Sequence, residues 1–358
     1  MMDSFVYEGL PARVIFGHGT LDRVADEAAR LGQRVLVVST PEQTGAAGDL
    51  ARRLGGLHAA TFSGATMHTP VEVTDRAMAV VTDARIDAIV ALGGGSTIGL
   101  SKAIALRTDL PQLVIPTTYA GSEMTRIIGQ TENGLKTTQV TPRVLPETVI
   151  YDVDLTLTLP PLMSVTSGLN AMAHAVEALY ATNRNPIIDM IAESGIASLY
   201  RGLPVVAREP GNLEARANAL YGAWLCAICL GATSVALHHK LCHVLGGSFN
   251  LPHAETHAIV LPHALAYNAP AVRDAVAAIK RALGGEGIAG KLFDVARDAG
   301  APTALRDLGM PEDGIDRAVE ITLANPYDNP RPIDPVLIRR LIANAWAGVR
   351  PDHSTYAV

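Results

Sequence analysis

Four short apolar runs, each nearly free of charge, constrain this chain more than any other feature: RVLVVST (34–40), DAIVALGG (87–94), QLVIPTT (112–118) and TVIYD (148–152). A strand that is apolar on both faces must be covered on both, and a parallel sheet with helices above and below achieves that. Segments such as LDRVADEAARLG and VTDRAMAVVTDA, lying between the runs, have the spacing of those helices. Residues 1–155 are therefore expected to form an α/β domain, a doubly wound parallel sheet of Rossmann-like type that binds its ligand beyond the carboxyl ends of the strands. From about 156 the texture becomes rich in alanine and leucine and poor in β-branched runs. An all-α domain is expected over 156–358, with helices at 163–182, 186–202, 213–231, 233–245, 269–284, 288–299, 302–309, 312–324 and 334–347.

The second run leads into ALGGGSTIGLSKAIAL, where a strand end passes through Gly93, Gly94, Gly95 and Ser96 into a helix. Glycines there let the backbone approach a pyrophosphate, and a helix N-terminus offers free N–H groups and a favourable dipole. After the first run the chain presents Ser39 and Thr40 where an acid would select against a 2′-phosphate. Either NADH or NADPH is expected to serve. Gly17 and Gly19 in VIFGHGT mark a further tight turn, with His18 in the loop.

Six of the eleven histidines lie between 238 and 263, in HHKLCHVLGGSFNLPHAETHAIVLPH. His239 and His243 are four apart and share a helical face, and a break at Gly246-Gly247 is expected to end that helix and fold His253 back. Asn170 and His174, also four apart, repeat the spacing upstream. With an aspartate at 170 the set would be an ordinary divalent-metal site; a neutral amide is a poorer ligand. Two readings stay open here, a weakened metal site or histidines acting directly on substrate as donors and proton carriers.

Other classes are less compatible with the chain. A net charge of −6 without a basic block argues against nucleic acid or an anionic membrane as partner. No apolar run reaches spanning length, and MMDSFVYEGL lacks the basic and apolar regions of a secretory signal. Three cysteines give no disulfide framework and suit a reducing cytoplasm, and Cys226-x-x-Cys229 sits in an apolar helical run as core residues. A non-catalytic histidine-rich metal binder would have no use for a nucleotide loop.

Taken in order, FGHG (16–19), GGGS (93–96), IPTT (115–118), Lys136 ahead of VIYD, SGLNAMAHAVEA (167–178) and the histidine segment (238–263) resemble the iron-containing alcohol dehydrogenase family over essentially the whole chain. The resemblance implies the dehydroquinate synthase-like fold of that family. It puts cofactor contacts on Gly94, Gly95, Ser96, Thr117, Thr118, Ser122 and Lys136, to which Thr40 is added by its place after the first run. The family's metal ligands fall on Asn170, His174, His239 and His253, and its additional catalytic histidine on His243. Asn170, and Gly99 where metal-dependent members carry an aspartate, both depart from the pattern and resemble a metal-independent reductase branch. The expectation is an NADH- or NADPH-dependent enzyme using no metal, cytoplasmic and homodimeric, that reduces an alkene conjugated to a ketone in a small dicarboxylate. His243 and His253 would be catalytic, with Asn170, His174, His239, Lys240, Tyr119 and Arg126 on the substrate, and His238, His257 and His263 in supporting positions. The alternative is a metal-dependent dehydrogenase of simple alcohols.

Overall fold

The computed structural model describes residues 5, 7–10, 13–352 and 354–356; the side chain of Lys136 lies outside the described residues. Two compact units emerge, one of Gly9–Leu159 and one consisting essentially of Pro160–Val358.

The first unit is built on β1 (Arg13–Gly17), α1 (Val24–Ala29), β2 (Val35–Val38), α2 (Thr44–Leu54), β3 (His58–Phe62), α3 (Val71–Asp83), β4 (Ala88–Gly93), α4 (Gly95–Thr108), β5 (Gln112–Pro116), β6 (Ile127–Glu132), β7 (Leu135–Val140) and β8 (Thr148–Asp152). Six strands make one sheet in the order β1-β8-β5-β4-β2-β3, every pairing parallel. Strand alternation explains the continuous apolar runs: Val35 and Val37 pack with Val24, Leu50, Val90 and Ile115 on one face, while Leu36 and Val38 pack with Ala77, Ile89, Leu100 and Ile104 on the other. The doubly wound sheet is thus confirmed, and the four anticipated runs became β2, β4, β5 and β8. Connections leave β2 toward β3 and β4 toward β5, so the strand order reverses between β2 and β4, where ligands of such sheets bind. The sequence reading had no place for β1, β3 or the antiparallel hairpin β6–β7.

Helices make up the second unit: α5 (Pro161–Ala178), α6 (Pro186–Arg208), α7 (Leu213–Ala232), α8 (Leu237–Phe249), α9 (His253–Asn268), α10 (Arg273–Leu283), α11 (Ile288–Asp298), α12 (Gly314–Ala324) and α13 (Pro335–Ala347). None of these is by itself long and apolar enough to cross a membrane. The expected helix at 302–309 is only a 3-10 turn, Leu305–Leu308.

The largest correction concerns the histidine segment. Gly246 and Gly247 do not break α8, which runs through them to Phe249 and stops where Asn250 turns left-handed at φ 52°. Each interior glycine costs a helix only about 1 kcal/mol, and Leu241, Val244 and Leu245 in the core hold it against that cost. His253 then opens α9, a helix absent from the sequence reading. Its residues from Thr256 to Asn268 are all buried, so it shows no amphipathic period, and Pro262 lies inside it.

Candidate active site

At the β2–β4 reversal the glycine segment passes from strand β4 into helix α4, as its sequence suggested. Gly93 ends β4 at φ 152°, and a Cβ there would stand 2.4 Å from Thr97 Oγ1. At Gly94 a Cβ would come within 2.9 Å of Thr118, so these positions exclude side chains and leave backbone facing the start of α4. The neighbouring strand end closes on the loop, Thr117 N donating to Gly93 O at 3.1 Å and Gln43 Nε2 to Thr117 Oγ1 at 3.1 Å. Thr40 follows β2, Gly95 and Ser96 open α4, and Thr117, Thr118 and Ser122 follow β5. Lys136 lies in β7.

The loop after β5 is clamped from below by a residue not anticipated from sequence. Lys102, fully buried in α4, donates through Nζ to Ser122 O, Thr125 O, Thr125 Oγ1 and Ile127 O at 2.6–2.9 Å. Burial pulls its ammonium down to about 7. Beside it Glu123, its carboxyl pushed up by burial, accepts from Tyr151 OH at 2.8 Å. Tyr119 is buried and Arg126 half-buried in this same unit. Gly99 is crowded: its Cβ would meet Thr69 Oγ1 at 2.3 Å.

In the second unit α5 is buried at every position from Ser164 to Ala178, and its face carries Asn170, His174 and then Glu177, one turn apart. Glu177 is the principal residue the sequence reading passed over, although it stands in the quoted motif three places after His174. Its carboxylate accepts from Ala236 N at 2.8 Å and His238 N at 2.7 Å, which fixes the start of α8 onto α5, and it meets His239 Nδ1 at 2.6 Å. His239 Nε2 lies 2.9 Å from His174 Nδ1, with the rings stacked at 5.0 Å. A carboxylate only accepts, so His239 carries its proton on Nδ1, its Nε2 accepts from His174 Nδ1–H, and His174 Nε2 is left as the basic nitrogen.

His257 packs among these rings, 4.2 Å from His253, 5.2 Å from His239 and 4.8 Å from His238 between centroids. Its Nδ1 meets His238 Nε2 at 2.9 Å, and burial holds both imidazoles well below their usual range, hence neutral. Cys242, its thiol pushed up by burial, stands 3.7 Å from His238 Nε2, so that His238, Cys242 and His257 place three ligand-type atoms within 4.8 Å. His263 is apart from this group, meeting Tyr356 OH at 3.1 Å.

His243 and His253 are the solvent-exposed members of the cluster. His243 Nδ1 lies 3.0 Å from Tyr327 OH. Lys240 is 8% exposed, has no carboxylate within salt-bridge reach among the described residues, and sits with Nζ 5.3 Å from the Tyr327 ring centroid. Tyr327 comes from the loop between α12 and α13, 84 residues beyond His243, and no local signal pointed to it.

Two family models match, "Iron-containing alcohol dehydrogenase" over residues 11–153 and "Fe-containing alcohol dehydrogenase family, C-terminal" over 164–346. A maleylacetate reductase of Sphingobium indicum is 55% identical, covering 97% of this chain and 99% of that protein. The crystal structure of maleylacetate reductase from Agrobacterium tumefaciens superposes with a TM-score of 0.95 at 55% identity, covering 98% of this chain and 100% of that one. An iron-containing alcohol dehydrogenase from Corynebacterium glutamicum follows with 0.94 at 43% identity, covering 99% of both.

These matches overturn the expectation that no metal is used, since both families and the last structure are iron-containing by description. The donors accord with that. Asn170 Oδ1 is buried without a hydrogen-bond donor among the described residues, an oxygen suited to a cation, and with His174, His239 and His253 it makes a donor set of the types ferrous iron or zinc accepts, His239 having to exchange its Nε2 contact with His174 for the ion. The argument from the neutral amide weighed one missing charge and gave too little weight to a histidine pair, His239 and through it His174, that a buried carboxylate orients.

Proposed function

We propose, for a chain that belongs to the iron-containing alcohol dehydrogenase family, the reaction named by its relatives at 55% identity: reduction of maleylacetate. The enzyme is an oxidoreductase that adds hydride from NADH or NADPH across the carbon–carbon double bond. Gly9–Leu159 is the dinucleotide-binding unit, with Thr40, Gly94, Gly95, Ser96, Thr117, Thr118, Ser122 and Lys136 on the cofactor; Pro160–Val358 carries the chemistry.

In maleylacetate the alkene is conjugated to a ketone and flanked by a carboxylate. Hydride from the dihydronicotinamide adds to the carbon β to the ketone, the alkene electrons move to the ketone oxygen as an enolate, and a proton added at the adjacent carbon gives 3-oxoadipate and oxidised cofactor. A divalent ion at Asn170, His174, His239 and His253, when bound, supplies positive charge for an oxyanion. His243 delivers the proton to carbon, and His253, the other exposed histidine, serves the ketone oxygen through the ring N–H that an ion on its other nitrogen would leave in place. Lys240 binds a substrate carboxylate, with Tyr119 and Arg126 as further donors. A 2-chloro substrate would lose chloride after hydride addition at the halogenated carbon, regenerating the alkene for a second reduction. The free, buried cysteines agree with a reducing cytoplasm, and a homodimer completes this reading.

The observation that carries the reading is Lys240, a buried cation without a counter-ion among the described residues and sharing Tyr327 with His243, which a dicarboxylate satisfies and a simple alcohol does not. The test is steady-state oxidation of NADH with maleylacetate, on protein of measured metal content. Turnover of maleylacetate is the expected result. Turnover of simple alcohols alone would establish the dehydrogenase reading instead.

A further inference from the structure

The loop that follows α12 meets the exposed end of the histidine cluster through Tyr327. Its hydroxyl reaches His243 Nδ1 at 3.0 Å, and its ring lies beneath the ammonium of Lys240 at 5.3 Å. The rings of Tyr327 and His243 meet edge-on, at 70°. The next residues bolt the loop down. Asn329 and Asn268 exchange reciprocal amide bonds at 2.9 and 2.8 Å, Arg331 donates to Tyr267 O and Tyr356 O, and Tyr267 OH donates to Pro332 O. Tyr327 is therefore held by a fixed anchor two to five residues away, in a half-buried position.

We infer that Tyr327 is a positioning residue of the reaction: its hydroxyl donates to His243 Nδ1 and so keeps the transferable proton on Nε2, while its ring braces Lys240, the cation that receives a substrate carboxylate. The assignment rests on the reading of the site as a maleylacetate reductase. An imidazole has one donor and one acceptor when neutral, so a hydroxyl donating to Nδ1 fixes the tautomer with its proton on Nε2, which is the form able to give a proton to a carbanion. A cation over a tyrosine face is held without losing its charge, leaving the ammonium free for an anion. One side chain thus serves the proton donor and the specificity cation together, through different atoms.

The two roles separate by substitution. Tyr327→Phe keeps the ring and removes the hydroxyl, so kcat with maleylacetate falls about 10-fold or more while KM changes little. Tyr327→Leu removes both, and KM for maleylacetate also rises several-fold. A merely structural role would move thermal stability and both constants in each variant. Nitrogen NMR of ring-labelled histidines in the holoenzyme, with His243 identified by His243→Gln, reads the tautomer without reference to turnover. A proton on Nε2 in the wild type that redistributes between the nitrogens in Tyr327→Phe is expected. A wild-type kcat in Tyr327→Phe, or a His243 tautomer that the substitution leaves unchanged, would overturn the inference. Failure of the wild type to turn over maleylacetate would instead sink the reading of the reaction, and the NMR result would still decide the tautomer.

Discussion

Glu177→Gln exchanges one oxygen for an amino group and alters almost no volume, yet three donors converge on this carboxylate. Ala236 N and His239 Nδ1 both address Oε2, and His238 N addresses Oε1. An amide has only one oxygen. With that oxygen at the Oε2 position the amino group faces His238 N–H; with the amide reversed it faces Ala236 N–H and the His239 proton. At least one buried N–H is orphaned either way, at about 1–3 kcal/mol, and the surviving bonds lose charge assistance worth roughly 1 kcal/mol. The expected loss is about 2–4 kcal/mol. For a helical unit of this size, at roughly 2–4 °C per kcal/mol, Tm falls by about 4–16 °C. Since His239 is then no longer pinned as an Nδ1–H tautomer, activity or metal retention should fall about 10–100-fold. Calorimetry and steady-state kinetics on the same preparation check both numbers, and KM for NADH should hold, because the phosphate loop belongs to the other unit. A glutamine variant with wild-type Tm and wild-type kcat would refute the argument that this carboxylate organises the cluster.

Three further predictions rest on separate residues. His263 is fully buried and held down at about 3 against an ordinary 6.5; the unfolded chain therefore binds the extra proton between those values, and stability falls as pH drops through that window, by up to about 5 kcal/mol from this group. Urea melts at neutral and acid pH should show it, and His263→Phe should flatten the slope; an equally steep variant would exclude His263 as its source. Lys102→Met removes the four bonds beneath the loop after β5, so KM for NADH should rise about 10-fold or more, and an unchanged KM would show that the loop is held without it. Asn170→Asp adds a full charge beside the imidazoles, and tighter retention of iron or zinc through dialysis against chelator is expected; equal retention would mean that the amide is not what limits affinity.

The sheet was legible because its signal is local: four runs apolar on both faces admit few other arrangements, and the glycine loop declares itself by lying between strand and helix. The end of α8 and all of α9 were not, because a helix buried on every side has no period to read and because glycines weaken a helix without forbidding it. The histidines were visible as a cluster, but their order in space was not. Glu177 and Lys102 act through contacts that chain spacing alone does not reveal. Tyr327 is supplied by a loop whose course depends on an Asn268–Asn329 pair 61 residues apart. The metal expectation failed for a related reason, since it counted the charge on one ligand and could not see how the others are buttressed.

The contact between Gly99 and Thr69 places an order on how this phosphate loop can change. Thr69, a β-branched residue at φ 48°, follows His68 at φ 65°, and its carbonyl is tied to Thr131 N at 3.3 Å, so the segment cannot easily withdraw. Any side chain at 99 would be driven into it, its Cβ 2.3 Å from Thr69 Oγ1. A side chain at 99 is therefore admitted only after position 69 has been vacated, and the opposite order of substitution passes through a clash.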